Sequence, residues 1–193
     1  MRITGGNLRG RELRAPKGST TRPTTEKVRE AWFNILGDVE DAQTLELFAG
    51  TGALGIEALS RGARHVAFVE AWRPAQKILG DNLARLDLLG RSTVVRARVE
   101  ASSKRLGPLA PFDLLLADPP WTDLTRSLDA IARLLRHSLL GDTLLRNGAR
   151  VFVGHPARYA FTEPLHPHLV NVDRRAWGDS GGSLFEWRPP ARM

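Results

Sequence analysis

Two short stretches of this sequence carry residue types suited to chemistry. Gly50-Thr51-Gly52-Ala53-Leu54-Gly55 has the G-x-G-x-x-G spacing, and Glu46 stands four residues before its first glycine. Glycine in such a turn lets main chain approach a ligand without a Cβ in the way. Glu70 follows Gly50 by 20 residues, a spacing that suits a carboxylate holding ribose hydroxyls. The second stretch is Asp118-Pro119-Pro120-Trp121. Consecutive prolines fix φ near about −65° and keep the preceding residue extended, so the turn is rigid. It lacks two backbone donors, leaving carbonyls and one carboxylate as acceptors. Such a site suits a substrate that bears an NH₂ group.

A G-x-G-x-x-G loop between a strand and a helix serves more than one cofactor class. A nicotinamide dinucleotide would place its pyrophosphate on the helix N-terminus, with Glu70 on the ribose. Glu46 separates the readings. A carboxylate inside an apolar strand is costly unless something compensates it. S-adenosylmethionine offers a reason for it, since this molecule carries an amino group and a sulfonium but no phosphate. Glu46 is expected to face that cationic end and Glu70 the ribose. A nucleobase amine is a poor nucleophile, because its lone pair is delocalised into the ring. Hydrogen bonds to Asp118 and to the Pro119 carbonyl favour a tetrahedral nitrogen and free that pair for in-line attack on a methyl group. Catalysis is then mostly positioning and electrostatics. Trp121 is expected to stack on the base, a contact worth about 1–3 kcal/mol, and the base must first leave its own stack.

The elements that would position these residues alternate from about residue 43. Strand-like runs are Thr44–Phe48, His65–Glu70, Thr93–Ala97, Phe112–Asp118 and Arg150–Gly154. Helical patterns cover residues 53–61, 73–88 and 124–140, and another runs from a Thr cap before Glu26 to Gly37, with Val28, Trp32, Ile35 and Leu36 in step. Leu169–Ala176 and Leu184–Trp187 are expected to pair as an antiparallel ribbon across Gly178–Gly182. Repeated strand–helix units predict an α/β, doubly wound, mostly parallel sheet. Ligands bind such sheets at the carboxyl ends of the strands, where the loops after Phe48 and Asp118 both lie.

The chain has 193 residues, a net charge of +7 and no cysteine. Disulfides, thiolate metal sites and cysteine nucleophiles are excluded. The five histidines show no metal-ligand spacing, so no metal is expected. No apolar run approaches the ~20 residues of a membrane span, and the N-terminus has no apolar signal core. A soluble cytoplasmic protein is the expectation. Residues 1–30 hold eight basic and three acidic side chains, so +5 of the charge lies there. Residues 1–23 are expected to form a basic hairpin or arm, and 24–193 the catalytic domain. Arg9, Arg11, Arg14, Lys17 and Arg22 are candidates for contact with a polyanion such as RNA.

Glu46-x-Phe48-x-Gly50-x-Gly52, Glu70 and Asp118-Pro119-Pro120-Trp121 together resemble the class I S-adenosylmethionine-dependent methyltransferases. Gly5-Gly6, Arg9-Gly10-Arg11, Arg22-Pro23-Thr24, Val28-Arg29-Glu30, Phe33-Asn34-Ile35-Leu36, the run Ala49–Gly62 and Trp177-Gly178-Asp179-Ser180 narrow the likeness. They resemble the RsmD-type guanine-N2 methyltransferases of 16S ribosomal RNA, named for guanine 966. The resemblance implies a Rossmann-like, seven-stranded sheet whose last strand is antiparallel, with an N-terminal hairpin that touches RNA. It implies 16S ribosomal RNA in a partly assembled small subunit as substrate. Carried over by position, Glu46, Phe48, Gly50, Thr51, Gly52 and Glu70 bind S-adenosylmethionine, Asp118, Pro119 and Pro120 form the amine site, and Trp121 stacks. The chain departs from the pattern at Glu46, where Asp is commoner, and at Trp121, where Phe or Tyr is usual. It also departs at Arg98-Val99, where Asn or Asp usually meets adenine. The adenine contact then falls to the backbone near Val99 or to Glu100. Three other functions stay open at this level: a DNA adenine-N6 methyltransferase, a non-catalytic RNA-binding assembly module, and a nicotinamide oxidoreductase.

Overall fold

A computed structural model describes residues 1–15, 24–137 and 144–190. Its centre is a seven-stranded sheet of β1 (Gln43–Leu47), β2 (His65–Glu70), β3 (Ser92–Arg96), β4 (Phe112–Ala117), β5 (Leu145–Pro156), β6 (Leu169–Trp177) and β7 (Ser180–Trp187). The strand order is β3-β2-β1-β4-β5-β7-β6. The first five strands run parallel, and β7 lies antiparallel between β5 and β6. This is the doubly wound sheet expected from the alternation of strands and helices. The chain reverses direction of travel between β1 and β4, so the loops after these strands diverge and leave a crevice at their carboxyl ends.

Helices cover both faces. On one face α1 (Glu26–Leu36), α2 (Ala53–Ser60) and α3 (Arg73–Arg85) bury Trp32, Ile56 and Leu79 against Phe68, Leu114, Leu116 and Phe152. On the other, the short α4 (Ser103–Leu106) and the longer α5 (Leu124–His137) bury Leu106, Leu128, Ile131 and Leu135 against Leu45, Leu115 and Val151. Alternate strand residues therefore serve opposite layers, as the pleat requires. β4 is apolar on both faces from Leu114 to Ala117, because both faces are covered, whereas β1 sets Thr44 and Glu46 into one of them. Glu46 pairs in register with Phe68 and Leu116, which places it in the layer of α2.

Residues 1–15 fold back on themselves. Ile3 N–H donates to the Arg11 carbonyl at 3.0 Å, Gly10 N–H to the Ile3 carbonyl at 2.8 Å and Leu13 N–H to the Met1 carbonyl at 2.8 Å. Ile3 and Leu13 are buried, which ties the hairpin to the α1–α2 layer.

Most element ends lie within two residues of the sequence expectation, and three boundaries differ by more. β5 begins at Leu145 rather than Arg150, because its pairing with β4 survives a register shift around Gly148, whose φ is +79°. α3 stops at Arg85 instead of 88, where Asp87 turns left-handed at φ 58°. The β6–β7 turn is confined to Gly178-Asp179, and Gly181 and Gly182 lie inside β7. A Cβ on Gly181 would sit 2.6 Å from the His155 ring, and one on Gly182 2.5 Å from Phe152. Those glycines thus serve packing, not the turn. The predicted helix over 124–140 is seen to His137, and 138–140 lie outside the described residues.

Candidate active site

A cavity of about 1160 Å³ opens at the carboxyl ends of β1, β2 and β4. It is lined by Glu46, Phe48, Gly50, Thr51, Glu70, Val99, Asp118, Pro119, Pro120 and Trp121. Ten of the eleven catalytic and cofactor-binding candidates read from the sequence therefore share one space. The eleventh, Gly52, lies beneath the loop. A Cβ there would stand 2.4 Å from Leu79, and its φ of +80° suits glycine. Gly50 is different: a Cβ on it would meet nothing nearer than the Phe48 carbonyl at 3.9 Å. Its bareness leaves room on the cavity side, while Gly52 lets the loop sit down on α3.

The loop is held from below by the two acids. Glu46 accepts hydrogen bonds from the amides of Leu54 at 3.3 Å and Gly55 at 2.9 Å. It thereby satisfies two of the unpaired donors at the start of α2, whose cap residue Gly52 has no side chain to do so. Gly55 must be glycine for this, since a Cβ would lie 2.6 Å from the Glu46 carboxylate. Glu46 is 3% exposed. Burial pushes its pKa up to about 8, against the pull of the two amide bonds, and Asp118 and Glu70 add to the rise. Among the described residues no basic side chain pairs with it. Glu70, half-buried, accepts from Gly50 N–H and from Trp72 N–H, each at 2.7 Å. Each of its oxygens keeps a second lone pair.

Asp118 leaves the end of β4 directly into the proline pair. Desolvation raises its pKa to about 6, and a hydrogen bond from the Thr24 hydroxyl to Oδ2 opposes the rise. Its other oxygen lies against Gly154 of β5, where a Cβ would come within 2.7 Å. Trp121 is 39% exposed at the cavity mouth, free for a planar group to lie on it. The cavity thus offers one buried carboxylate, two half-buried ones, acceptor carbonyls and exposed aromatic rings. That set binds a cationic, hydroxyl-rich ligand and an aromatic amine.

Several contributors escaped sequence reasoning. Trp72, 57% exposed, follows Glu70 by two residues and lines the cavity. Its position at the start of α3 was the available signal. Trp177, Gly178 and Asp179 reach the cavity from the β6–β7 turn, which only the chain topology could reveal. Glu100, a candidate from the sequence for the adenine contact, and the exposed Arg98 line it beside the buried Val99. Of the predicted polyanion contacts, Arg9, Arg11 and Arg14 do not line it. Arg9, Arg11 and Arg14 are exposed on the hairpin. Arg14 faces Asp81 at 3.7 Å, and Arg11 reaches the Arg85 carbonyl at 3.5 Å. Lys17 and Arg22 lie outside the described residues. His155 is buried with its ring nitrogens on Ser183 Oγ and the Pro156 carbonyl, both at 2.9 Å. No group of three or more metal-holding side chains occurs among the described residues, and none of their helices is long and apolar enough to cross a membrane.

A sheet with one antiparallel strand inserted between the fifth and sixth, and a cavity walled by a glycine loop and an Asp-Pro-Pro-Trp turn, define a methyltransferase of the class I type. The chain belongs to the family described as "Conserved hypothetical protein 95", which matches residues 1–185. It is 40% identical to the "Putative rRNA methyltransferase YlbH" of Bacillus subtilis over 97% of this chain and 100% of that protein. It is 43% identical to the "Ribosomal RNA small subunit methyltransferase D" of Escherichia coli, over 63% of this chain and 60% of that one. Among solved structures, the "Putative methyltransferase yhhF from Escherichia coli" superposes with a TM-score of 0.80 at 33% identity, covering 97% of this chain and 98% of that one.

Proposed function

We propose that this chain transfers a methyl group from S-adenosylmethionine to the exocyclic N2 amine of a guanine in 16S ribosomal RNA, within a partly assembled small subunit. The observation that carries the reading is that buried Glu46 and half-buried Asp118, each with its pKa raised by desolvation, line one cavity at the β1–β4 switch point. The relatives' names support ribosomal RNA as the substrate class.

The residues fit S-adenosylmethionine. Glu46 is a buried carboxylate with no cation of its own, and a ligand ammonium or sulfonium would compensate it. Glu70 has lone pairs left for ribose hydroxyls, and Gly50 presents bare main chain. Trp72 and the backbone at Val99 flank the place for an adenine. When bound, the donor supplies an electrophilic methyl: the N–C bond forms as the S–C bond breaks, the S–C electron pair goes to sulfur, and the amine loses a proton.

The chain's own contribution is the handling of the amine. Asp118 and the Pro119 carbonyl accept its two N–H groups and keep the nitrogen lone pair free of the ring. Pro120 stiffens the turn, so that little reorganisation is needed at the moment of reaction. Trp121 holds the unstacked base. The departing proton goes to Asp118 and on to solvent. On this reading Arg9, Arg11, Arg14, Lys17 and Arg22 neutralise RNA phosphates, and the protein works in the cytoplasm without a metal.

The test is incubation with methyl-labelled S-adenosylmethionine and small-subunit particles that lack this modification, then nuclease digestion and mass mapping. One oligonucleotide of 16S ribosomal RNA containing N2-methylguanosine is expected. Label confined to adenine N6 in added DNA would replace this reading with the DNA-directed one, and no transfer to any nucleic acid would end it.

A further inference from the structure

We propose that Thr24 is a positioning residue for methyl transfer: its hydroxyl holds the Asp118 carboxylate against Gly154, so that it meets the substrate amine in one orientation. The inference rests on the proposed function and names a further residue for that site. Three constraints converge on this side chain. The backbone of Asp118 is restricted by the proline that follows. One carboxylate oxygen lies over Gly154, which has no Cβ to push it away. The other accepts from Thr24 Oγ1, across 94 residues of sequence. An accepting carboxylate has about four lone-pair sites, so Thr24 takes one and leaves others for the amine.

Thr24 is not needed to start α1. That task belongs to Thr25, whose side chain accepts from the Val28 amide. A hydroxyl released from helix capping and aimed into the cavity has Asp118 as its partner. α1 is anchored through Arg29, fully buried, whose Nε donates to Glu57 at 3.2 Å. The same Glu57 accepts from Thr4 and Gly5 of the hairpin.

The other ionisable groups that line the cavity with Asp118 are Met1 with its amino terminus, Glu46 from β1, Glu70 from β2, Arg29 from α1, Asp179 from the β6–β7 turn, and Asp123 and Arg126 beside Trp121. Arg98, Glu100, Asp129 and Arg133 stand further along its wall. None of these is altered by a change at Thr24, so an effect on Asp118 titration reports the lost hydroxyl.

The experiment compares the full-length protein with Thr24→Val and Thr24→Ser. Methyl transfer to small-subunit particles gives kcat and its pH profile, calorimetry gives S-adenosylhomocysteine affinity, and carbon-13 NMR follows the Asp118 carboxyl. Thr24→Val is expected to lower kcat about 10- to 100-fold, the scale of a misplaced reacting group, with S-adenosylhomocysteine affinity within about twofold of the parent. Its acidic limb and the carboxyl titration should both move to higher pH, since the hydroxyl stabilises the ionised form. Thr24→Ser should stay near the parent in every measurement. An unchanged kcat and titration in the valine variant, or a serine variant impaired equally, overturns the proposal. If the unaltered protein transfers no methyl group, the proposed function falls. The carboxyl titration still decides whether Thr24 holds Asp118.

Discussion

Two glutamates eleven residues apart are both withdrawn from water, and their surroundings treat them in opposite ways. Glu57, in the middle of α2, receives the amides of Thr4 and Gly5, the Thr4 hydroxyl, and the Nε groups of Arg29 and Arg61. Burial raises its pKa, but these donors and cations outweigh that and hold it below the ordinary carboxylate range. Glu46, at the foot of the same helix, has two backbone amides and no cation, and burial wins. One acid carries its counter-charges within the fold and serves as a joint between hairpin, α1 and α2. The other is left incomplete beside a cavity. An unpaired buried charge costs several kcal/mol, so the difference points to a ligand at Glu46 and to architecture at Glu57.

The contrast breaks most sharply at Glu57. Glu57→Gln leaves Arg29 buried without its counter-ion and should destabilise the fold by about 3–5 kcal/mol, as read by chemical denaturation. A loss under ~1 kcal/mol would mean the joint is dispensable. At the cavity, Asp118→Ala should lower kcat about 100- to 1000-fold while S-adenosylhomocysteine binding persists; normal turnover would remove Asp118 from the chemistry.

Glu46→Gln sharpens the comparison through pH. A carboxyl whose folded pKa is raised to about 8 holds a proton that the unfolded chain has released, so ligand-free stability falls between about pH 4.5 and 8. The stability of Glu46→Gln relative to the parent should therefore grow across that window, by about 2–4 kcal/mol. Glu57 acts in the other direction: its contribution is full above its unfolded pKa of about 4.5 and is lost on acidification. At pH 7 a cationic ligand should drive a proton off Glu46. S-adenosylmethionine binding enthalpies should then differ between phosphate and Tris buffers for the parent, and agree for Glu46→Gln. Equal enthalpies for the parent would show that the cation is not met by Glu46.

The smallest effect is expected at the hairpin. Replacing Arg9, Arg11 and Arg14 with Gln should weaken RNA binding and reduce the slope of log K against log salt by up to ~2–3. An unchanged slope would place the RNA elsewhere.

The chemistry was legible in the chain because it sits in short, contiguous signals. The glycine spacing, Glu46 inside an apolar strand, Glu70 and the Asp-Pro-Pro-Trp turn are each local, and strand alternation put them at one edge of a sheet. Nothing local announces that Glu57 rather than any other helix acid joins Arg29 to the hairpin, that Asp179 reaches the cavity from the last turn, or that Gly181 and Gly182 make room for His155 and Phe152. Those are pairings across tens of residues, decided only when the strands take their order.

The amino-acid sequence alone determined which groups could act, because residue type sets charge, donors and backbone freedom. Tertiary structure decided their state. It pushed one of two ordinary carboxylates below the usual titration range and the other above it, since desolvation and the arrival of distant partners such as Thr4 and Arg29 are properties of packing.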